Sequence, residues 1–175
     1  MPITLAELEF FDHEKIDVSE FDCEDADLNE FLKVDCPKYK EQKLSHTKVA
    51  VYSGQAVAYL ALLADSISLE ITERERLVQK NVTVQHIPAL KIGRLAVHRD
   101  FKGQDIGTAL IKYSIGVAFR MNDDLNVGCR FLTVDAYPGS IRFYEKVGFK
   151  RSLHKTYKKR KNPTMHYDIV SGKPL

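Results

Sequence analysis

Apolar and polar residues alternate along this chain with two different periods, and the period of two marks the predicted strands. Residues 3–11, ITLAELEFF, predict a first strand. Residues 47–69, TKVAVYSGQAVAYLALLADSISL, predict two strands joined at Ser53 and Gly54, a dipeptide typical of a hairpin turn. Residues 88–97, PALKIGRLAV, predict a strand whose apolar positions change parity at Gly93, which indicates a β-bulge.

Helical spacing marks the segments between these strands. Residues 21–42 predict a helical region that Asp25 is placed to cap and that Pro37 should break or restart. A longer helix is predicted from about residue 105, with an apolar stripe at Ile106, Leu110, Tyr113 and Val117. Shorter helices are predicted at residues 71–80, ITERERLVQK, and 140–148, SIRFYEKVG, where Gly148 closes the helix.

The remaining strands complete a mixed α/β order. Residues 129–136, CRFLTVDA, are nearly all apolar, as in a central strand, and residues 149–157 and 164–170 predict two final strands. The predicted order is β-α-β-β-(α)-β-α-β-α-β-β, which favours a sheet with helices on its faces. We expect one domain over residues 1–175, a length that can bury a full core.

Composition excludes several classes of protein. The chain is 44% hydrophobic and 29% charged, which is typical of globular proteins, and it has no apolar run of the roughly 18 residues that a membrane span needs. Its N-terminus does not resemble a secretory signal. The three cysteines, Cys23, Cys36 and Cys129, are widely spaced and predict neither a disulfide framework nor a metal site. We therefore expect a reduced, cytoplasmic protein.

Residues 101–110, FKGQDIGTAL, carry the first indication of chemistry. Two glycines follow a predicted strand and open a predicted helix, where exposed backbone N–H groups can bind phosphate. Such a loop is a weak signal alone. Asp105 in its middle is unexpected at an anion site.

Two segments together carry a resemblance to a known family. IGRLAVHRDFKGQDIGTALI resembles the acetyl-CoA segment of the GCN5-related N-acetyltransferases, the GNAT family, and RFYEKVGFK resembles the closing helix and strand of that family. FDCEDADLNEFL and GRLAV are similar to the branch that includes the acetyltransferase toxins of toxin–antitoxin pairs. The resemblance covers about residues 8 to 169.

The resemblance implies a fold, a cosubstrate and site residues. It implies a mixed, mainly antiparallel sheet with a parallel central pair splayed at a β-bulge, with helices on both faces. It implies an N-acetyltransferase that uses acetyl-CoA, without a metal, for direct attack of a primary amine. Tyr144 matches the family's tyrosine that protonates the departing sulfur. The implied coenzyme-binding residues are Leu95, Ala96, Val97, Lys102, Gly103, Gln104, Asp105, Ile106, Gly107, Thr108 and Ser140.

The chain departs from the family pattern at several of these positions. Lys102 stands where Gln or Arg is usual, and still offers a donor to phosphate. Asp105 stands where Gly is usual, and we expect it to cap the following helix by accepting from the N–H of Gly107 or Thr108. The asparagine often found before the closing helix is missing, and Tyr137 and Ser140 occupy its neighbourhood.

No residue stands out as the base that deprotonates the amine. Glu70, Asp65 and Asp135 lie at or near predicted strand ends and His98 follows the bulged strand, but each can equally be a solvated or capping residue. An α-amino group, with a reference pKa of about 8 against about 10.4 for lysine, needs less help to lose its proton. A weakly basic amine would therefore tolerate this site better.

The acceptor and the partners stay open. KTYKKRK, residues 155–161, carries five basic residues, which suit either a solvated turn or an RNA contact with Tyr157 as a stacking platform. A toxin-like enzyme acting on the α-amine of aminoacyl-tRNA, with an antitoxin partner, is one alternative. A non-catalytic CoA-binding or assembly module is another, and a homodimer is left open.

Overall fold

The computed structural model describes residues 2–77, 84–157 and 160–172. The strands are β1 (Glu9–Asp12), β2 (His46–Tyr52), β3 (Gln55–Ile67), β4 (Ile87–Val97), β5 (Phe131–Asp135), β6 (Lys150–Arg151) and β7 (Thr164–Asp168). The α-helices are α1 (Ala26–Glu30), α2 (Cys36–Glu41), α3 (Ile71–Leu77), α4 (Ile106–Asp123) and α5 (Ile141–Lys146). The strands form one sheet in the order β1-β2-β3-β4-β5-β7-β6.

The strand pairing confirms the predicted mixed sheet. β4 and β5 pair in parallel over Ala89–Lys91 and Phe131–Thr133. The pairs β1–β2, β2–β3, β5–β7 and β6–β7 are antiparallel. A register shift lies between Ala50 and Val51 of β2. The bulge predicted at Gly93 stays a prediction.

Two predicted strands are shorter than their sequence pattern. Residues Leu5–Glu7 form a 3-10 turn, because the Glu7 carboxylate accepts from the backbone N–H of Thr4 at 2.9 Å and from its hydroxyl at 2.7 Å. At the other end, β6 covers only Lys150 and Arg151. The chain turns beyond it, where the N–H of Tyr157 donates to the carbonyl of His154 at 2.9 Å.

The chain divides into two compact units, of which the first comprises Met1–Leu63 and Ile92–Ser114. Ser53 and Gly54 make its predicted hairpin turn with φ angles of 49° and 79°. A π-helical turn over Phe31–Asp35 separates α1 from α2. This wider turn precedes Pro37, whose ring would clash with the preceding turn of a regular helix. The buried core of this unit includes Phe21, Phe31, Leu32, Val49 and Tyr59.

The second unit comprises Ala64–Lys91 and Ile115–Leu175. Its core includes Ile67, Leu69, Ile87, Ala89 and Phe131. Phe131 and Leu132 of β5 are fully buried, as the apolar run predicts. In the part of the chain that the structure describes, no helix is long and apolar enough to cross a membrane.

Candidate active site

The end of β4 presents apolar side chains that the core does not cover. Ala96 is buried, whereas Leu95 and Val97 are only half-buried. The N–H of His98 donates to the carbonyl of Val57 at 2.8 Å and fixes the strand end against β3. Earlier in β4, a Cβ at Gly93 would lie 2.8 Å from Cδ2 of Leu63, so the strands approach closely where the glycine stands.

Residues 102–108, the phosphate loop, turn the chain from β4 into α4 through two left-handed residues. Gly103 has a φ of 77° and Asp105 a φ of 59°. The N–H of Ala109 donates to the carbonyl of Asp105 at 3.1 Å, which is the first bond of the 18-residue helix. The N–H groups of residues 106–108 precede this bond, and no acceptor for them is found among the residues that the structure describes. This donor set fits a pyrophosphate.

The capping role predicted for Asp105 is wrong. A capping residue has extended φ and ψ, whereas Asp105 is left-handed and exposed. Within the described ranges, no side-chain hydrogen bond joins the N–H of Gly107 or Thr108 to its carboxylate. What this position needs is a residue that tolerates positive φ, which glycine does best and aspartate tolerates. The glycine usual in the family at this position was the signal available in the sequence.

The cations beside the phosphate loop are already paired with carboxylates. Nζ of Lys102 lies 2.7 Å from Oε2 of Glu24 and donates to the carbonyl of Cys23 at 3.0 Å. Nη1 of Arg99 lies 2.8 Å from Oδ2 of Asp22. The predicted phosphate donor Lys102 is therefore engaged elsewhere. Sequence reasoning missed this because the carboxylates lie more than 70 positions earlier in the chain.

Gln104 also contributes to the loop's own structure. The side-chain Nε2 of Gln104 donates to the backbone carbonyl of Asp100 at 3.3 Å. The backbone carbonyl of Gln104 accepts from the N–H of Ile3 at 2.8 Å. Ile106 is buried, so it anchors α4 in the core. Gly107 and Thr108 are half-buried. The first unit thus brings residues 95–97 and 102–108 together as one strand–loop–helix junction.

Tyr144 lies in the second unit, on α5. Its ring packs edge-on against Phe143 and Phe149 at centroid distances of 5.1 and 5.3 Å, and the residue is 5% exposed. Burial raises the pKa of the Tyr144 phenol above its ordinary value. No described residue bonds the hydroxyl, and it is not one of the fully buried polar atoms that lack a partner. The ring is therefore fixed by packing, and its hydroxyl has no hydrogen bond to another described residue.

Ser140, at the start of α5, is the other predicted site residue that lies in the second unit. Ser140 is half-buried and its N–H donates to the carbonyl of Tyr137 at 2.8 Å. Its side chain makes no capping bond to the helix. The hydroxyl is therefore free of the helix end that it precedes.

Two candidate bases have structural roles. Nδ1 of His98 accepts from the N–H of Asp100 at 3.2 Å and caps a short 3-10 turn, while its ring packs on Phe21 and Phe101. Oε1 of Glu70 accepts from the N–H of Lys155 at 3.2 Å. Both residues therefore fit the alternative that they cap backbone N–H groups and do not act as the base.

The other two candidates lie among polar groups of the second unit. Oδ2 of Asp135 lies 2.7 Å from Nζ of Lys91, and Oδ1 accepts from the hydroxyl of Thr164 at 2.6 Å. Burial alone would raise the pKa of Asp135, but these hydrogen bonds outweigh it and lower the pKa, which makes Asp135 a weak proton acceptor. Asp65 accepts from the hydroxyl of Thr133 at 2.6 Å.

His166 is a polar residue of β7 that sequence reasoning missed. It pairs with Thr133 in the sheet and is 3% exposed. Its Nδ1 is buried without a hydrogen-bond partner, and burial lowers the pKa of the ring. The sequence TMHYDIV gave no signal beyond a strand, because the environment of His166 comes from β5. Among the described residues, no group of three or more His, Cys, Asp or Glu could hold a metal ion.

The structure describes only part of residues 155–161, the basic turn, because Lys158 and Lys159 lie outside the described residues. The stacking role predicted for Tyr157 is not supported. Its hydroxyl accepts from the N–H of Ser68 at 3.1 Å, and the guanidinium of Arg160 lies 5.0 Å from its ring centroid. The ring packs against the core of the second unit. Tyr157 therefore anchors the turn and has little free face for a base.

Comparison with known proteins agrees with this architecture. The acetyltransferase (GNAT) domain family matches residues 44–151. AtaT complexed with acetyl-methionyl-tRNAfMet has a TM-score of 0.78 and 22% identity, with 94% of this chain and 96% of that chain covered. AtaTR bound with acetyl-CoA has a TM-score of 0.73 and 22% identity, with 94% of each chain covered. A tyrosine-to-phenylalanine mutant of KacT has a TM-score of 0.77 and 20% identity, with 94% of this chain and 96% of that chain covered.

Proposed function

Because this chain belongs to the acetyltransferase (GNAT) domain family, whose acetyl donor is acetyl-CoA, we propose that it transfers the acetyl group to a primary amine. We propose direct attack in a ternary complex, with residues 1–175 acting as one cytoplasmic acyltransferase domain. The three buried, free cysteines support a reducing compartment.

The phosphate loop is proposed to hold the coenzyme through its backbone. The N–H groups of residues 106–108 stand at the positive end of the α4 dipole, which favours a pyrophosphate. Leu95 and Val97 offer half-exposed apolar surface to the pantetheine arm, and the backbone of residues 95–97 is proposed to pair with its amides. Ser140 is a further proposed contact through its uncommitted hydroxyl.

Tyr144 is the proposed proton donor in the chemical step. As the amine nitrogen bonds to the acetyl carbon, the carbon–sulfur bond breaks and its electron pair goes to sulfur. The Tyr144 hydroxyl donates its proton to that sulfur, the proton released by the amine passes to solvent, and solvent returns a proton to the Tyr144 oxygen. A phenol with a raised pKa stays protonated through neutral pH, so it is always ready to donate.

Tyr144→Phe tests this role. We expect kcat to fall by roughly 10- to 1,000-fold, the usual range for one acid–base group, with the acetyl-CoA Kd nearly unchanged. Steady-state kinetics and calorimetric titration of both proteins measure the two quantities, and Phe143→Leu is the matched control for lost ring packing. Full activity in the Phe variant would remove Tyr144 from the mechanism. Equal losses in both variants would indicate a packing role.

A second, more specific proposal concerns the acceptor. We propose the α-amine of an aminoacyl-tRNA, with a toxin-like role and an antitoxin partner. The described candidate bases are engaged or weak, which suits an α-amine that loses its proton easily. One similar structure is AtaT with acetyl-methionyl-tRNAfMet, and another is an AtaT mutant bound to the C-terminus of the antitoxin AtaR. The basic composition near the C-terminus also favours RNA.

A further inference from the structure

Positive charge is concentrated in residues 142–161, the basic segment. Nine of the chain's 26 lysines and arginines lie there, with one of its 24 acidic residues. The chain carries a net charge of only +2, so the rest of it is net negative. Such segregation is the electrostatic footprint of a surface that attracts a polyanion.

The basic segment extends well beyond the turn that its sequence marks. Arg142 and Lys146 are exposed on α5, one helical turn apart, and therefore share a face. Lys150 and Arg151 are exposed on β6. Nε of Arg151 lies 3.4 Å from Oε1 of Glu145, which joins the outer face of α5 to β6. Arg142 and Lys146 of α5 and Arg151 of β6 thus lie on neighbouring elements, whereas Lys150, the next residue of the strand, faces the other side of the sheet.

Most of these charges lack a carboxylate partner. Across residues 2–77, 84–157 and 160–172, no ion pair involves Arg142, Lys146, Lys150 or Lys155. By contrast, Lys102 and Arg99 beside the phosphate loop are both paired. Unpaired surface cations repel one another and are favoured where a polyanion neutralises them. Arg142 also stands in the first turn of α5, where the helix dipole disfavours a cation.

We propose that Arg142 and Lys146 of α5, together with Arg151 of β6, form a docking face for RNA, continuous along the chain with the basic turn. The inference rests on the proposed aminoacyl-tRNA acceptor and names the surface that would hold its phosphates. The same helix carries Tyr144 on its buried side. RNA bound on α5 therefore contacts the element that holds the proposed proton donor. The recognition is of phosphate charge and not of base sequence.

The test compares two double variants that remove the same charge. Arg142→Gln/Lys146→Gln removes two cations of the face, and Lys15→Gln/Lys33→Gln removes two exposed lysines elsewhere. Binding of fluorescently labelled deacylated tRNA is measured by anisotropy from 50 to 300 mM salt. We expect the first variant to bind about 10- to 30-fold more weakly near 100 mM salt, with the slope of log K against log salt smaller by about 1.5. The control should stay within about twofold of the parent.

Other outcomes overturn the inference in distinguishable ways. Equal losses in both double variants would show a net-charge effect without a face. Unchanged tRNA binding in the first variant, with aminoacyl-tRNA still acetylated, would reject the face and leave the acceptor standing. A parent that binds no tRNA would reject both. Loss of acetyl-CoA binding in the first variant alone would assign these cations to the coenzyme, and tighter binding of poly-glutamate than of tRNA would assign them to an acidic protein.

Discussion

The phosphate loop, residues 102–108, and the basic segment, residues 142–161, are both suited to anions but by different physical means. The loop offers backbone N–H groups at the start of α4, while the nearby cations Arg99 and Lys102 are held by Asp22 and Glu24. Among the described residues of the basic segment, most side-chain charges have no ion-pair partner. The first arrangement suits a small anion held at a fixed place, and the second suits a long anion whose position is not fixed.

The difference has a consequence for specificity. Oriented amides at a helix start recognise one phosphate group at short range. Flexible lysines and arginines bind through counterion release, which depends strongly on salt and weakly on the identity of the polyanion. A coenzyme site needs the first property, whereas a surface that receives many different tRNAs is served by the second.

Replacement of Asp105 by glycine has the largest expected effect on the phosphate loop. Asp105 directly precedes the amides proposed to bind pyrophosphate, and two unit charges about 5 Å apart in water repel by about 1 kcal/mol. We expect Asp105→Gly to bind acetyl-CoA about 3- to 10-fold more tightly in calorimetric titration. Because Asp105 is left-handed and makes no capping bond to Gly107 or Thr108, the free energy of unfolding should be unchanged or higher by up to about 1 kcal/mol.

Thermal unfolding of the same pair of proteins provides the check on the geometry. A lower melting temperature for Asp105→Gly would mean that the carboxylate caps α4 in solution. Weaker acetyl-CoA binding would mean that the carboxylate points away from the phosphates. Asp100→Asn, which removes an exposed carboxylate just before the loop, is the matched control for net charge.

Replacement of Glu24 by glutamine has a smaller expected effect and tests whether Lys102 belongs to the coenzyme site. The Lys102–Glu24 pair is exposed, and such pairs contribute little to stability. Removing the carboxylate frees the Lys102 ammonium for a phosphate, so we expect acetyl-CoA to bind about 2- to 5-fold more tightly. Calorimetry at low and high salt measures this, with Glu20→Gln as an exposed control. An unchanged Kd would mean that Lys102 tethers residues 22–24 and takes no part in coenzyme binding.

The sequence predicted the elements whose signals are local. The stripe that starts at Ile106 and Leu110 marked α4, and both residues are fully buried. Ser53 and Gly54 marked the hairpin through their left-handed turn. The apolar run of β5 marked a buried central strand. Each of these depends on neighbours within a few positions, where periodicity and turn chemistry decide the outcome.

The sequence did not predict features that depend on distant partners. The pairing of Lys102 with Glu24 and the buried, unpartnered Nδ1 of His166 come from chain segments that meet only in the fold. The turn at residues 154–157 replaced a predicted strand because Tyr157 is tied to Ser68, 89 positions away. The conformation of Asp105 is the exception, since the position where the family has glycine already indicated a positive φ.

We propose that this chain acetylates a primary amine from acetyl-CoA and that the amine belongs to aminoacyl-tRNA. The most direct measurement is transfer of labelled acetyl from acetyl-CoA to a mixture of aminoacylated tRNAs, compared with free amino acids and lysine-containing peptides at equal amine concentration. We expect label on the aminoacyl-tRNA at least 10-fold faster than on the other amines, and strongly reduced transfer by Tyr144→Phe. Faster labelling of peptide lysines or free amino acids would contradict the proposed acceptor. No transfer to any amine, despite acetyl-CoA binding, would contradict catalysis itself and favour a non-catalytic module.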